Sequence, residues 1–464
     1  MRYIALLMTT CCMLILPACE KFVDLPVSGT ETTRENIFTS DVMANSAVLA
    51  IYGEMIGKNG FASGSTMSVG FVAALSADEL ETHTVINTIR QFYDNSISTS
   101  NTLVEQGLWN HAYTCIYAAN SVIEGLRQFR GVSDNVKSQL LSESFFIRAF
   151  CHFFLVNLFG DIPYITVTDF RVNGSVYRIS RQQVYQNIIL DLDTARSLSQ
   201  QDVYTDERIR PNRLTATALL ARVYLYNSQW AQAVAMADSV INRSDIYALT
   251  DSLNDVFLAN SKEAIWQLRP NTPDINTWEG RNLILTGAPG IGEFNATVLS
   301  PKVLQAFEPG DRRRMHWVDS ISAAGANTWY FPYKYKIKTG NNLREYSMVF
   351  RLAEQYLIRA EARAHLGNIS GAKEDLNVIR TRAGLPPIQA TSLSDLLTAI
   401  AHERQIELFS EWGHRWFDLK RTGQSDKILG PIKPLYWQPT DTLYPIPRNE
   451  IILNPRLTQN AGYN

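Results

Sequence analysis

The chain has 464 residues, ample for one large core or several smaller ones. Its 43 basic and 45 acidic residues nearly cancel, so neither nucleic acid nor an acidic surface is an implied partner. Aromatic residues are abundant, with 9 Trp, 20 Tyr and 20 Phe, and many fall in stretches that lack a helical period.

The first element is an apolar run of 13 residues from Ile4 to Leu16, broken by Thr9 and Thr10. As a helix it would reach roughly 20 Å, short of the ~30 Å hydrocarbon core, and no stop-transfer pattern follows. With Arg2 and the amino terminus ahead of it, the run fits the apolar region of a signal peptide. It ends in Leu16-Pro17-Ala18-Cys19, which resembles a bacterial lipobox. Residues 1–18 are then a lipoprotein signal peptide and Cys19 is the lipid attachment site, a membrane tether through the N-terminal lipid. The competing reading is an ordinary secretory signal cut at a small residue. Acyl chains contribute roughly 0.8 kcal/mol per buried CH₂, so more than one anchors a protein without a spanning helix. Glu20 to about Thr30 reads as a polar leash. Cys11 and Cys12 leave with the signal, and Cys115 and Cys151 remain, either as a disulfide or as two core thiols.

Amphipathic helices follow. Ser180 and Gln183 form a capping box, after which Tyr185, Ile188, Leu192 and Ala195 recur on one helical face. An internal repeat comes next. Leu214, Ala218, Ala221 and Leu225 are followed, after a break at Ser228, by Ala233, Ala237, Val240 and Ser244. Shifted by 139 residues, the pattern returns as Ala353, Leu357, Ala360 and Ala364, then Ala372, Leu376, Ile379 and Ala383, with Gly367 at the place of Ser228. Alanines at the closest points let paired helices approach tightly, as a tetratricopeptide-like hairpin requires. Ser142, Phe146, Ala149 and Phe153 form a partial third copy, sharing Ile147-Arg148-Ala149 with Ile358-Arg359-Ala360. The fold class expected is mainly α: helix hairpins forming a helical body, with an irregular, loop-rich insertion carrying short strands.

That insertion spans about 250–345, where the helical period fades into Gly, Pro and Asn interspersed with Trp and Tyr, with "EAIWQLR" as a short strand. Residues 58–100 are similar but milder. Irregular, aromatic-bearing stretches on a helical scaffold are where a binding site is expected. Sugar rings stack an apolar C–H face on flat aromatics, while their hydroxyls are oriented by amides, guanidinium and carboxylate groups. "NTIRQFYDN" offers Asn87, Arg90 and Tyr93 for this, "NTWEGRN" offers Trp278 and Arg281, and "NTWYFPYKYK" offers Trp329, Tyr330 and Tyr333. The competing reading is that each Trp only pins its own loop to the body.

Enzyme motifs are not found. "HERQIE" lacks the second histidine of a zinc-protease pair, the seven histidines show no ligand spacing, and "GAPGIG" lacks the Lys-Ser/Thr of a phosphate loop. Neither metal nor cofactor is expected. Asp78, Glu79 and Glu81 read as solvated acids. Glu403, Glu407 and Glu411 share one helical face and call for cations, which Arg404, Arg415 or Arg359 could supply as a buried structural ion network. The run Arg312 to Arg314 reads as a solvated or capping stretch.

Several longer segments resemble the SusD/RagB family of outer-membrane nutrient-binding lipoproteins. They are "FFIRAFCHFFLVNLFGDIPY", "YLIRAEARAHLGNISGAKEDLNVIRTRAGLP", "IAHERQIELFSEWGHRWFDLKR" and "LYPIPRNEIILNPRLTQNAGY", the last with Ala461 where the family has proline. The resemblance covers the mature chain and divides it into 1–18, an N-terminal region 19–205 and a C-terminal region 206–464 that carries the insertion. It implies four tetratricopeptide-like hairpins and a surface-exposed, lipid-anchored, non-catalytic binding protein. Such a protein acts as a lid that delivers oligosaccharide to a SusC-like TonB-dependent transporter. A minority branch of the family handles peptides. From other classes, a secreted hydrolase and a helical scaffold that touches only protein compete with this reading. Ligand residues come from the family's variable parts, so no motif carries them over to numbered positions.

Overall fold

The computed structural model describes residues 34–202, 207–323 and 327–463, so the signal segment and Cys19 lie outside the described residues. In chain order the helices that build the body are α1 (Asp41–Ile56), α2 (Val69–Ser76), α3 (Asn87–Asp94), α4 (His111–Gln128), α5 (Asp134–Phe159), α6 (Arg181–Leu198), α7 (Arg213–Tyr226) and α8 (Trp230–Ile241). After the insertion, which holds the short α9 (Trp278–Leu283), come α10 (Leu352–His365), α11 (Ile369–Arg382), α12 (Leu393–Glu407) and α13 (His414–Arg421). From α4 to α8 each helix packs on the next, α8 then lies against α10, and α10 packs on both α11 and α12. The sheets are three antiparallel pairs: β1 (Leu80–Thr82) with β3 (Thr297–Leu299), β2 (Ala264–Leu268) with β6 (Ser347–Arg351), and β4 (Val318–Ser322) with β5 (Thr328–Pro332).

The expected helices are present with their expected faces, except that α8 ends at Ile241 and leaves Ser244 exposed in the turn beyond it. Ser180 caps α6 as half of a capping box, and Tyr185, Ile188, Leu192 and Ala195 are all buried. The repeat corresponds to α7–α8 and α10–α11. Its alanines Ala221, Ala233, Ala360 and Ala372 have no exposed surface. The two turns share one geometry. Ser228 (φ 56°) and Gly367 (φ 80°) both take the left-handed conformation. In each, the next backbone N–H closes on a carbonyl five residues back, Gln229 on Tyr224 and Asn368 on Arg363. The partial third copy is completed by α6, reached through the long connection that begins at Gly160. Arg148 on α5 grips Asp191 on α6 in a two-bond fork (2.7 and 2.6 Å), and Arg359 on α10 grips Asp375 on α11 in the same way (3.0 and 2.6 Å). Arg359 also reaches Asp238 on α8, tying one hairpin to the next.

Cys115 on α4 and Cys151 on α5 are free thiols in the core. Burial raises the Cys151 thiol. A hydrogen bond from Cys151, with the nearby His111, brings the Cys115 thiol down to about 6 against the opposing effect of burial.

Glu403 and Glu407 on α12, and Glu411 in the turn that follows it, do form a buried ion network, but with other cations than expected. Glu403 pairs with Arg313 and Arg380, Glu407 with Arg313, Arg351 and Arg382, and Glu411 with Lys334 and Arg351. Arg404 instead bonds Asp418, Arg415 bonds Asp78, and Arg359 belongs to the hairpin lock. Burial alone would raise the Glu407 carboxyl, yet the three guanidiniums around it hold it far below the usual range. Two further expectations are corrected. Arg313 is buried rather than solvated, although Asp311 does cap its helix. Asp78 and Glu79 are buried too. Asp78 is forked by Arg415 (2.7 and 2.8 Å), and Glu79, pushed up to about 8 by burial and by Asp78, accepts the Ser410 N–H. Through Arg313, Lys334 and Arg351 the network seats the insertion rigidly on the body.

Candidate functional site

The two irregular stretches are brought side by side by β1 and β3, with Leu80 opposite Leu299 and Thr82 opposite Thr297. Beyond this pair the Val85 N–H bonds the Ile291 carbonyl, so residues 84–86 run beside the loop around 286–295. "NTIRQFYD" is not a loop here but helix α3. Asn87 and Arg90 on it are exposed, and Arg90 pairs with Asp94 and lies over the Tyr93 ring.

The remaining nominated residues lie on α9 and β5, with Arg281 reaching the loop that residues 84–86 flank. Trp278 is 8 % exposed and turned into the core: Thr277 caps α9 through the Gly280 N–H, and that turn buries the ring. Arg281 lies over Phe294, 5.4 Å from the ring centroid. Trp329 and Tyr330, adjacent on β5, point to opposite faces as strand geometry dictates. Trp329 packs with Ile321 and Tyr333 onto an apolar cluster of Ile284, Leu285, Val298 and Phe331, while Tyr330 sits under Arg314 at 4.7 Å. Trp278 is thus buried against the body, whereas Trp329 remains half-buried.

A cleft of about 510 Å³ opens elsewhere in the insertion. Its ten lining residues, from Asn254 to Glu345, all fall within the expected 250–345 segment. The floor is preorganised. Lys336 Nζ donates to the carbonyls of His316 and Tyr333 and sits 4.2 Å from the Tyr333 ring centroid, and burial lowers its pKa to about 8. Glu345 is buried, with one oxygen accepting the Lys336 N–H (2.6 Å) and the other the Ile337 N–H (3.1 Å). Asn276 Oδ1 in turn accepts the backbone N–H groups of Arg344 and Glu345. Around the rim, the side chains of Asn254, Asp255, His316, Tyr333 and Arg344 have no hydrogen-bond partner among the described residues. An aromatic ring ringed by an amide, a carboxylate, an imidazole and a guanidinium matches the groups that orient sugar hydroxyls. The volume lies within the range of small-ligand sites.

Tyr333 was legible in the sequence as part of an aromatic loop. Asn254, Asp255, His316 and Arg344 were missed, and only their position in the insertion hinted at them. Among the described residues no group of three or more His, Cys, Asp or Glu converges as a metal site.

Comparison with known proteins gives these features a family. Residues 316–463 match the SusD family, and residues 40–225 match the family described as "Starch-binding associating with outer membrane". SusD-like protein P2 of Formosa agariphila is 30 % identical over 412 residues, covering 76 % of this chain and 80 % of that one. Among solved structures, a SusD superfamily protein from Bacteroides vulgatus superposes with a TM-score of 0.80 at 20 % identity, covering 92 % of this chain and all of that one. Surface glycan-binding protein A from Bacteroides thetaiotaomicron, in complex with laminarihexaose, gives a TM-score of 0.77 at 21 % identity over 91 % of this chain and all of that one. With matches at both ends, a relative that spans most of both chains and the shared fold, the chain belongs to the SusD/RagB family.

Proposed function

We propose that this protein is a non-catalytic, surface-exposed binding protein of the outer membrane, anchored through Cys19. It captures oligosaccharides in the cleft from Asn254 to Glu345 and passes them to a SusC-like TonB-dependent transporter as a lid. The observation that carries this reading is the set of polar rim groups, free of internal partners, around the Tyr333 ring on a braced floor. The solved relative that holds laminarihexaose supports the ligand class. Of the two cleft carboxylates, Glu345 is held in the floor by two backbone N–H groups, a bracing role that favours binding over hydrolysis.

Calorimetry and affinity gels with neutral oligosaccharides test the reading. Tyr333→Ala and Arg344→Ala are each expected to weaken binding at least about tenfold, equivalent to about 1.4 kcal/mol. Arg344→Ala does so without lowering the melting temperature, and Tyr333→Ala lowers it as well because the ring packs on Phe331 and under Lys336. Trp278→Ala lowers stability instead. Peptide binding with no glycan binding, or new reducing ends released from polysaccharide, overturns the proposal. Palmitate labelling that persists in Cys19→Ala removes the anchor.

A further inference from the structure

A second cleft lies outside the insertion, on the helical body. A stretch of wide, i→i+5 helical turns, Leu103–Asn110, runs directly into α4 and sets Trp109, Tyr113 and Tyr117 four residues apart along one face. With Asn110, Thr114 and Glu450 they line a depression of about 350 Å³. Its inner wall is fixed. Trp109 is wedged between Phe159 (4.9 Å, edge to face) and Tyr113 (5.0 Å), and the Tyr113 hydroxyl donates to the Pro163 carbonyl at 2.8 Å. The C-terminal segment Arg448–Leu453 supplies Glu450, which lines the depression beside Trp109; burial raises its carboxyl, and the indole opposes that shift.

Its outer part is open. Tyr117 is 51 % exposed, and neither its hydroxyl nor the Asn110 amide has a partner among the described residues. Neighbouring Thr114 already donates its hydroxyl to the Asn110 carbonyl (2.9 Å), which leaves it an acceptor. A caged quaternary cation takes several open aromatic faces, but Trp109 is shut off by its neighbours and Tyr113 is half-buried, which leaves Tyr117 as the one well-exposed ring of the depression. One stacking ring with an amide, a hydroxyl and a carboxylate at its edge is the chemistry of a pyranose.

The geometry points to a second saccharide-binding site on the helical body, formed by Tyr117, Asn110 and Glu450 over the Trp109–Tyr113 wall, distinct from the cleft of the insertion. Two such sites on one rigid body would let one polymer chain engage twice, raising its effective affinity without new contacts.

The test uses the full mature chain with laminarihexaose, maltohexaose and cellohexaose as probes, read by ligand-observed saturation-transfer NMR and calorimetry. In the background Tyr333→Ala/Arg344→Ala, residual binding of at least one probe is expected. Adding Tyr117→Ala weakens it at least tenfold, Glu450→Gln weakens it less, and Tyr117→Trp preserves it. Residual binding that ignores Tyr117→Ala overturns the site. If the background abolishes all binding, the site falls while the insertion cleft stands; if the wild type binds no probe, both fall. Loss of an integral-membrane partner on Tyr117→Ala, with saccharide binding unchanged, makes the depression a protein contact and also overturns the site.

Discussion

Replacing Arg351 by methionine tests whether the buried network holds the insertion on the body. Arg351 is 1 % exposed, and all five of its N–H groups are engaged. Nε bonds Glu411 (2.8 Å). Nη1 bonds Glu263 (3.0 Å) and Glu407 (2.5 Å), and Nη2 bonds Glu411 (2.9 Å) and the Glu407 carbonyl (2.5 Å). Methionine replaces much of the stem but no donor. Each stranded acid keeps one or more cations: Glu263 keeps Arg382, Glu407 keeps Arg313 and Arg382, and Glu411 keeps Lys334. The cost is therefore that of opening one buried ion pair, about 3–5 kcal/mol, and not the sum over three. Urea denaturation at pH 7, followed by tryptophan fluorescence, should show that loss, and Glu411→Gln in the same background should cost less than it does alone. The sign with pH is also fixed. The network holds the Glu407 and Glu411 carboxyls below their ordinary 4.5, so their stabilisation is present above that value and lost as pH falls. Arg351→Met relaxes both upward and moves acid unfolding to higher pH. A loss below about 1 kcal/mol, the range of exposed pairs, refutes the argument.

The paired hairpin turns give a reciprocal test: Ser228→Gly relieves a left-handed non-glycine residue and stabilises by about 0.5–1 kcal/mol, whereas Gly367→Ser destabilises by a similar amount, both read from thermal melts. Glu79→Gln reports the buried acid beside Asp78. With a folded pKa of about 8, Glu79 contributes full stability below its ordinary 4.5 and loses it as pH rises to about 8. The amide variant should therefore gain on wild type across that window, and a pH-independent difference in melting temperature would remove the account. Native protein should leave Cys115 and Cys151 unmodified by iodoacetamide, since both have no exposed surface, while denatured protein takes up two labels at these positions without reductant. Absence of those labels would mean the pair is joined as a disulfide.

What was legible in the sequence follows from which physics is local. The helix pairs were readable because burial repeats at the helical period, so Ala218, Ala221, Ala360 and Ala364 announce a packed face without reference to anything distant. The ion network was half readable. The spacing of Glu403, Glu407 and Glu411 marks them as a set, but the helix ends at Glu407, and their cations come from Arg313, Lys334, Arg351, Arg380 and Arg382 in other elements. Arg404 could not have served Glu403, because adjacent residues on a helix point about 100° apart. Loop composition proved the weakest guide. An aromatic beside an amide and an arginine describes a ring that pins a loop as well as one that binds a sugar, and Trp278 is the former. The criterion that separates the two is whether the polar neighbours are already satisfied inside the fold. Arg281 and Arg314 are each held over a ring, Phe294 and Tyr330, whereas Arg344 and His316, unmarked in the sequence, have neither a ring partner nor a side-chain hydrogen-bond partner among the described residues. That distinction depends on long-range placement, which is why the segment that carries the proposed cleft could be bounded from the sequence while the residues lining it could not.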